Sequence, residues 1–205
     1  VLSLAAEARS STSAPSLVGR FAIETAPDVR IVQGFTDPSR AHGLVGLWPD
    51  LARSLSLAEM DVIVDVGRLT STTAAAPILQ AADAIVVVCR AELGSVVHLR
   101  ERIGPMAGLG RRRQGVYPLV VTPQRQAEAD VAEVTEVLRA TMGVVPGVTY
   151  RRVLSLAYDP TGMRRLYAGD DPRGKLARSP LIRSARKLAA TIYDDTTTAR
   201  QQEVG

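Results

Sequence analysis

Cysteine and aromatic residues are scarce in this sequence, and both scarcities limit how its core can be built. Cys89 is the one cysteine among 205 residues, so no intramolecular disulfide can form. This usage is expected in a reducing compartment. Aromatic residues make up 4% and hydrophobic residues 46% of the chain, so the core has to consist mainly of Val, Leu, Ile and Ala. Because Cys89 falls within the apolar run 84–89, we expect a buried, unreactive thiol.

Long apolar runs are absent as well. None approaches the roughly 20 residues that a membrane-spanning helix needs. Residues 1–9 have no basic region ahead of an apolar one and no cleavage site, so they do not resemble a signal peptide. We therefore predict a cytoplasmic protein without a transmembrane segment. The sequence begins without Met and in the middle of an apolar pattern, so we expect further sequence upstream.

The side chains that usually bind metals or act as nucleophiles form no recognisable arrangement. The two histidines, His42 and His98, lie far apart, and neither has Cys, Asp or Glu at metal-ligand spacing. No Ser-His-Asp arrangement and no G-x-S-x-G elbow is found in the sequence. The sequence therefore assigns no catalytic residue.

Positive charge slightly outweighs negative charge. Lys and Arg total 25 against 21 Asp and Glu, a net charge of +4, which permits an anionic partner without requiring one. Basic residues cluster at Arg111–Arg113, Arg151–Arg152, Arg164–Arg165 and Arg173–Lys187. A solvated surface explains such clusters, and non-specific nucleic-acid binding is the alternative.

Apolar periodicity predicts strands and helices in alternation. Strands are predicted at residues 29–32, 61–65, 84–89, 116–121 and 148–156. Helices are predicted at residues 39–57, 73–82, 95–107, 127–142 and 179–193, with shorter ones at 1–9 and 163–168. Pro49 is expected to kink or break the first long helix.

This alternation predicts an α/β fold. Short strands joined by helical crossovers give right-handed βαβ units and a mostly parallel sheet with helices on both faces. We expect one domain over residues 1–195, followed by a polar tail at 196–205.

An aspartate closes the clearest predicted strand. Asp65 ends the run 61–65, and Gly67 follows it. Ligands of parallel sheets bind at the carboxyl ends of the strands. A carboxylate there can orient water around phosphate-bound Mg²⁺, and a glycine lets the backbone approach a phosphate. A turn-capping aspartate gives the same local pattern, so both interpretations stay open.

Residues 169–175 imitate a phosphate-binding loop. Gly169 to Lys175 fit G-x-x-x-x-G-K, but Leu176 stands where the motif needs Ser or Thr. A helix rather than a strand is predicted before this segment, and Asp170 and Asp171 would repel phosphates. We predict a surface loop.

Four stretches occur in an order that is shared with one known family. They are DVIVDVGRL at 61–69, PILQAADAIVVV at 77–88, Thr122-Pro123 at a strand end, and LAYDP at 156–160. In that order they resemble four parts of the MinD/ParA family of P-loop ATPases, in particular its divergent actinobacterial members. These parts are the Walker B and switch II strand, the helix and apolar strand after it, the base-binding strand end, and the Ile-Pro-x-Asp loop. The resemblance covers residues 29–192.

The resemblance implies a P-loop NTPase-like sheet with ATP and Mg²⁺ as the cofactors of a full-length protein. Asp65 would hold Mg²⁺ through water, and Gly67 would sense the γ-phosphate. The residues expected against the adenine are Thr122, Pro123, Asp159 and Pro160.

Two departures from the family's pattern limit what the chain can do. The glycine-rich lysine loop, Walker A, and the switch I strand are not within these 205 residues, so the N-terminal P-loop unit lies upstream or has been lost. Thr122-Pro123 replaces an Asn-Arg pair, and threonine has no amide to pair with a base edge. We expect no cofactor to bind this chain alone more tightly than roughly millimolar.

Three functions remain in competition. The first is part of a MinD/ParA-like ATPase that switches between nucleotide states, as a possible homodimer, to position or regulate a cellular protein partner. The second is a non-catalytic interaction module of the same fold. The third is a nucleic-acid-binding domain that uses the arginine clusters.

Overall fold

The computed structural model describes residues 1–10, 17–34, 43, 45–69, 73–103, 114–142 and 149–204. The chain forms two compact units, residues 1–82 and 83–205. The prediction of a single domain over residues 1–195 stays a prediction. The arginine cluster at 111–113 lies outside the described residues.

The first unit is built mainly from helices. Its elements are α1 Leu2–Ser10, α2 Leu17–Phe21, β1 Ile23–Ala26, β2 Val29–Ile31, α3 Trp48–Ser56 and α4 Ala76–Ala81. Helix α3 packs against both α1 and α4. Their shared core contains Leu4, Ala5, Ala8, Trp48, Leu51, Ala52 and Ile78.

Helix α3 is shorter than predicted. The sequence predicts a helix over 39–57 with Pro49 inside it, whereas the helix begins at Trp48 and has Pro49 in its first turn. A proline fits there because the first-turn N–H groups have no intrahelical partner. Residues 39–42 and 44 lie outside the described residues.

The predicted strand at 29–32 is confirmed as β2, but its partner was not predicted. Strands β1 and β2 form an antiparallel hairpin in which Ile23 pairs with Ile31. Asp28 makes the turn with φ of 64°, a left-handed conformation that aspartate tolerates better than most residues.

The predicted strand at 61–65 is wrong. Residues 61–65 form no strand, and Ile63 is 98% exposed, with Val62 and Val64 at 36% and 40%. Apolar residues become a strand only where a neighbouring strand supplies backbone hydrogen bonds. Within the described ranges, no strand pairs with this segment.

The second unit contains a parallel sheet. Its elements are β3 Ala84–Arg90, α5 Leu93–Ile103, β4 Gly115–Thr122, α6 Ala127–Met142, β5 Thr149–Tyr150, β6 Leu154–Ala157, α7 Pro160–Tyr167 and α8 Pro180–Val204. Strand β4 pairs in parallel with β3 on one edge, and with β5 and then β6 on the other. The predicted mixed α/β fold with a parallel sheet and flanking helices is confirmed.

Strand β4 is the centre of this unit because both of its faces are buried. Val116 and Val120 lie on one face at 1% and 0% exposure, and Tyr117 and Leu119 on the other at 1% and 3%. Alternate residues of a strand point to opposite faces, so helices have to cover both. Helices α5 and α6 pack on β3 and β4, and α8 packs on β6.

Helix α8 is fastened to the sheet by side chains. The Tyr117 hydroxyl donates to Asp195 Oδ2 at 3.2 Å, and the Ala157 N–H donates to Ser184 Oγ at 3.0 Å. The Tyr117 ring lies so close to Gly115 that a Cβ there would come within 2.7 Å of its Cε2 atom. The predicted helix ends at residue 193, whereas α8 continues to Val204.

The Tyr117 hydroxyl generates a prediction about alkaline stability. Burial, followed by the negative charge and hydrogen bond of Asp195, raises the pKa of Tyr117 from 10.0 to about 12. The neutral form is favoured in the folded state, so its contribution to stability is complete below pH 10 and disappears as pH rises through 12. We expect the free energy of unfolding, measured with urea, to fall over this pH range.

Tyr117→Phe tests the assignment. Because the variant lacks the hydrogen bond, its free energy of unfolding at pH 8 should be about 1 kcal/mol lower than that of the wild type. Between pH 10 and 12, however, its free energy of unfolding should fall less than that of the wild type. An equally steep fall in both proteins would contradict this role of Tyr117.

Candidate functional site

The carboxyl ends of β4 and β6 adjoin, and they bring two predicted site segments together. Thr122 pairs with Ala157 in the parallel ladder, and the Tyr158 N–H donates to the Thr122 carbonyl at 2.7 Å. Pro123 and Asp159 continue from these two strand ends. The structure therefore places the Thr122-Pro123 and Asp159-Pro160 segments side by side, as the parallel-sheet prediction requires.

The Thr122 side chain is used inside the protein. It is 1% exposed, and its hydroxyl donates to the Asp130 carboxylate on α6. Pro123 follows and precedes the short 3-10 turn Gln124–Gln126, which leads into α6. The hydroxyl thus joins β4 to α6. A ligand at this edge would contact residues beside Thr122 rather than its side chain.

Asp159 also has a structural partner. It is the N-cap of α7, and its Oδ1 atom accepts a hydrogen bond from the Gly162 N–H at 2.8 Å. Pro160 occupies the first turn of that helix, where a missing N–H costs nothing. The Asp159 side chain therefore stabilises the start of α7.

Groups that face solvent at this edge come from neighbouring positions. Tyr158 is 55% exposed, and Gln124 accepts a hydrogen bond from Arg183 Nη2 on α8 at 3.2 Å. The sequence marks Gln124 and Tyr158 only as residues that follow strands. It gives no sign of the Arg183 contact, which joins positions 59 residues apart.

The end of β3 holds no activated thiol. Cys89 is 5% exposed, and burial raises the pKa of its thiol from 9.0 to about 11. The backbone N–H of the next residue, Arg90, donates a hydrogen bond to Ser95 Oγ at 3.0 Å. The predicted burial of Cys89 is confirmed, and its raised pKa keeps it protonated at neutral pH.

Asp65 and Gly67 lie in the first unit, where they form a turn. The exposed Asp65 accepts a hydrogen bond at Oδ1 from the Gly67 N–H at 2.8 Å, and Gly67 has φ of 68°. An aspartate that bonds the backbone two residues ahead is a common turn device. The turn-cap interpretation therefore has a direct geometric basis, and the magnesium role of Asp65 stays a prediction.

A magnesium site at Asp65 would need oxygen ligands in addition to this one carboxylate. Mg²⁺ prefers six oxygen ligands, of which proteins usually supply one or two carboxylates beside phosphates and water. Across the described ranges, no group of three or more His, Cys, Asp or Glu side chains could hold a metal ion. We assign no metal-dependent step to these residues.

The phosphate-loop imitation at 169–175 follows a helix, as predicted. Helix α7 ends just before it, and Gly169 has φ of 88°. Asp170 accepts a hydrogen bond from Arg165 Nε at 2.7 Å, and Asp171 accepts one from the Arg173 N–H at 2.8 Å. The segment is a turn held by its carboxylates. Helix α7 confirms the prediction that a helix and not a strand precedes it.

Comparisons with known proteins assign no family. No family model, no curated protein and no solved structure matches this chain. The resemblance to MinD/ParA ATPases therefore stays a prediction. None of the helices in the described ranges combines the length and the apolar character needed to cross a membrane.

Asp65 can be tested by comparing two substitutions. Asp65→Ala removes the acceptor of the Gly67 N–H and is expected to lower the free energy of unfolding by about 1 kcal/mol. Asp65→Asn keeps an acceptor oxygen and should remain within about 0.5 kcal/mol of the wild type. Urea denaturation of this chain measures both, and equal stability of all three proteins would contradict the turn-cap role.

Proposed function

We propose that this chain is part of a MinD/ParA-like, P-loop-type ATPase of the cytoplasm, and that its second unit supplies the base side of a nucleotide site. The observation that supports the proposal is the hydrogen bond from the Tyr158 N–H to the Thr122 carbonyl. It joins two loops at the carboxyl end of a parallel sheet, the position at which such sheets bind nucleotides. Bound ATP would supply the free energy for switching between states.

The side chains suggest how a base would be held. The exposed ring of Tyr158 offers a face for stacking, and Pro123 and Pro160 border the same edge with rigid backbone. Thr122 and Asp159 contribute by fixing these loops, since their side chains already bond Asp130 and Gly162. The proposed site thus uses the predicted segments, but the contact with the base is made by the neighbouring residue Tyr158 and not by Thr122 or Asp159.

A second candidate is a non-catalytic interaction module of the same fold. It is favoured by the internal hydrogen bonds of the three predicted polar site residues, Asp65, Thr122 and Asp159. Groups that are satisfied within the protein are not poised for chemistry. A nucleic-acid-binding role would instead depend on the basic residues, and its signature is an affinity that falls steeply with salt.

Weak binding of adenosine monophosphate separates the first two candidates. These 205 residues contain no glycine-rich lysine loop, and that loop supplies most of the backbone groups that hold phosphates. We therefore expect a dissociation constant of about 1 mM, equivalent to about −4 kcal/mol. Saturation-transfer NMR should show contact at the adenine protons H2 and H8 rather than at the ribose.

Tyr158→Ala should abolish this transfer, and Tyr193→Ala, which removes another exposed tyrosine of the same unit, should not. No transfer in the wild type, or equal transfer in all three proteins, would reject a base site at this edge. Micromolar binding of ATP would show that phosphate contacts exist in these 205 residues.

A further inference from the structure

Helix α7 presents apolar side chains to solvent. Met163, Leu166 and Tyr167 are 38%, 37% and 84% exposed. Their spacing of three and four residues places them on one face of the helix. Gly162 is the only buried residue of this eight-residue helix. The α7 stripe, defined as Met163, Leu166 and Tyr167, is thus an apolar surface without cover in a single copy.

The surroundings of this stripe are strongly basic. Residues 160–187 contain two acidic residues, Asp170 and Asp171, against a larger basic set. The basic residues are Arg164, Arg165, Arg173, Lys175, Arg178, Arg183, Arg186 and Lys187. Arg165 is paired with Asp170 at 2.7 Å, whereas Arg164, beside Tyr167 on the helix surface, makes no ion pair within the described residues. An acidic surface would complement this region.

Helix α6 of the same unit carries an acidic surface that matches it. Ala129, Ala132, Glu133 and Glu136 are exposed and lie on one face, again at spacings of three and four residues. Glu136 is paired with Arg139, and Glu133 makes no ion pair in the part of the chain that the structure describes. The α6 stripe, defined as these four residues, offers small side chains beside a free carboxylate.

We propose that the α7 stripe of one copy docks on the α6 stripe of a second copy of this chain. Tyr167 and Leu166 pack over Ala129 and Ala132, where small side chains permit close approach, and Arg164 meets Glu133. The contact involves no nucleotide, so its test does not depend on the proposed base site being occupied. Stable interfaces bury about 800 Å² per partner, more than one eight-residue helix offers, so we expect association at roughly 10–100 μM.

A charge-swap series tests the contact in sedimentation velocity without nucleotide. At 50 mM salt the wild type, studied from about 5 to 500 μM, should associate reversibly. The association should weaken at 0.5 M salt, where charge interactions are screened. Arg164→Glu and Glu133→Arg, each alone, should weaken association at least about tenfold because like charges then face each other. The double variant should recover it, and so should a mixture of the two single variants, in which each contact again joins opposite charges.

The apolar part has its own matched pair. Leu166→Ser should weaken association, whereas Leu93→Ser, at an exposed leucine on α5 (79%), should leave it unchanged. All altered side chains are at the surface, so we expect every variant to fold. Thermal melts followed by circular dichroism check this. A monomer at 500 μM, association insensitive to either reversal, or loss without recovery in the double variant would overturn the proposal.

Discussion

The burial of β4 on both faces is the constraint on which the second unit depends. A strand with Val116 and Val120 on one side and Tyr117 and Leu119 on the other cannot lie at the surface, so helices must cover both sides of it. Its parallel pairing with β3 and β6 then fixes where each of those strands ends. The location of the candidate base site follows from this register.

The register also explains why loops far apart in sequence meet. Thr122 and Tyr158 become neighbours because both follow parallel strands that end at the same edge. Polar side chains nearest the strand ends are used to fix the loops, as Thr122 with Asp130 and Asp159 with Gly162. Side chains one or two positions further on remain exposed, and Tyr158 and Gln124 are of this kind. A ligand would meet those exposed groups first.

Local sequence patterns predicted the elements that have a clear apolar run or a clear helix start. The apolar run at 84–89 and the acidic start of the helix at 127–142 both lie in the elements expected from them, β3 and α6. The run at 61–65 also contains consecutive Val and Ile residues but is not a strand, since periodicity reports apolar character and not whether a partner strand is present. Strand β1 was missed because Ile23–Ala26 is short and lacks apolar alternation.

The candidate site could be located from sequence more readily than its chemistry. Strand ends identified Thr122, Pro123, Asp159 and Pro160, and the structure brings these segments together. The hydrogen bond from Thr122 to Asp130 depends on how α6 is rotated about its axis. The hydrogen bond from Arg183 to Gln124 depends on how α8 packs. Neither follows from residue spacing. Asp65 fits two roles in the sequence. The hydrogen bond that it accepts from the Gly67 N–H gives the turn-cap role a geometric basis, and its magnesium role stays a prediction.

Amide hydrogen exchange of the full 205-residue chain tests the central role of β4 most directly. The slowest-exchanging amides of a protein mark the structure that opens only on global unfolding. We expect them in β4, at Val116, Tyr117 and the range 119–121, with protection close to the global free energy of unfolding, and fast exchange at residues 61–65. Protection at residues 61–65 equal to that of β4, or fast exchange within β4, would contradict the account.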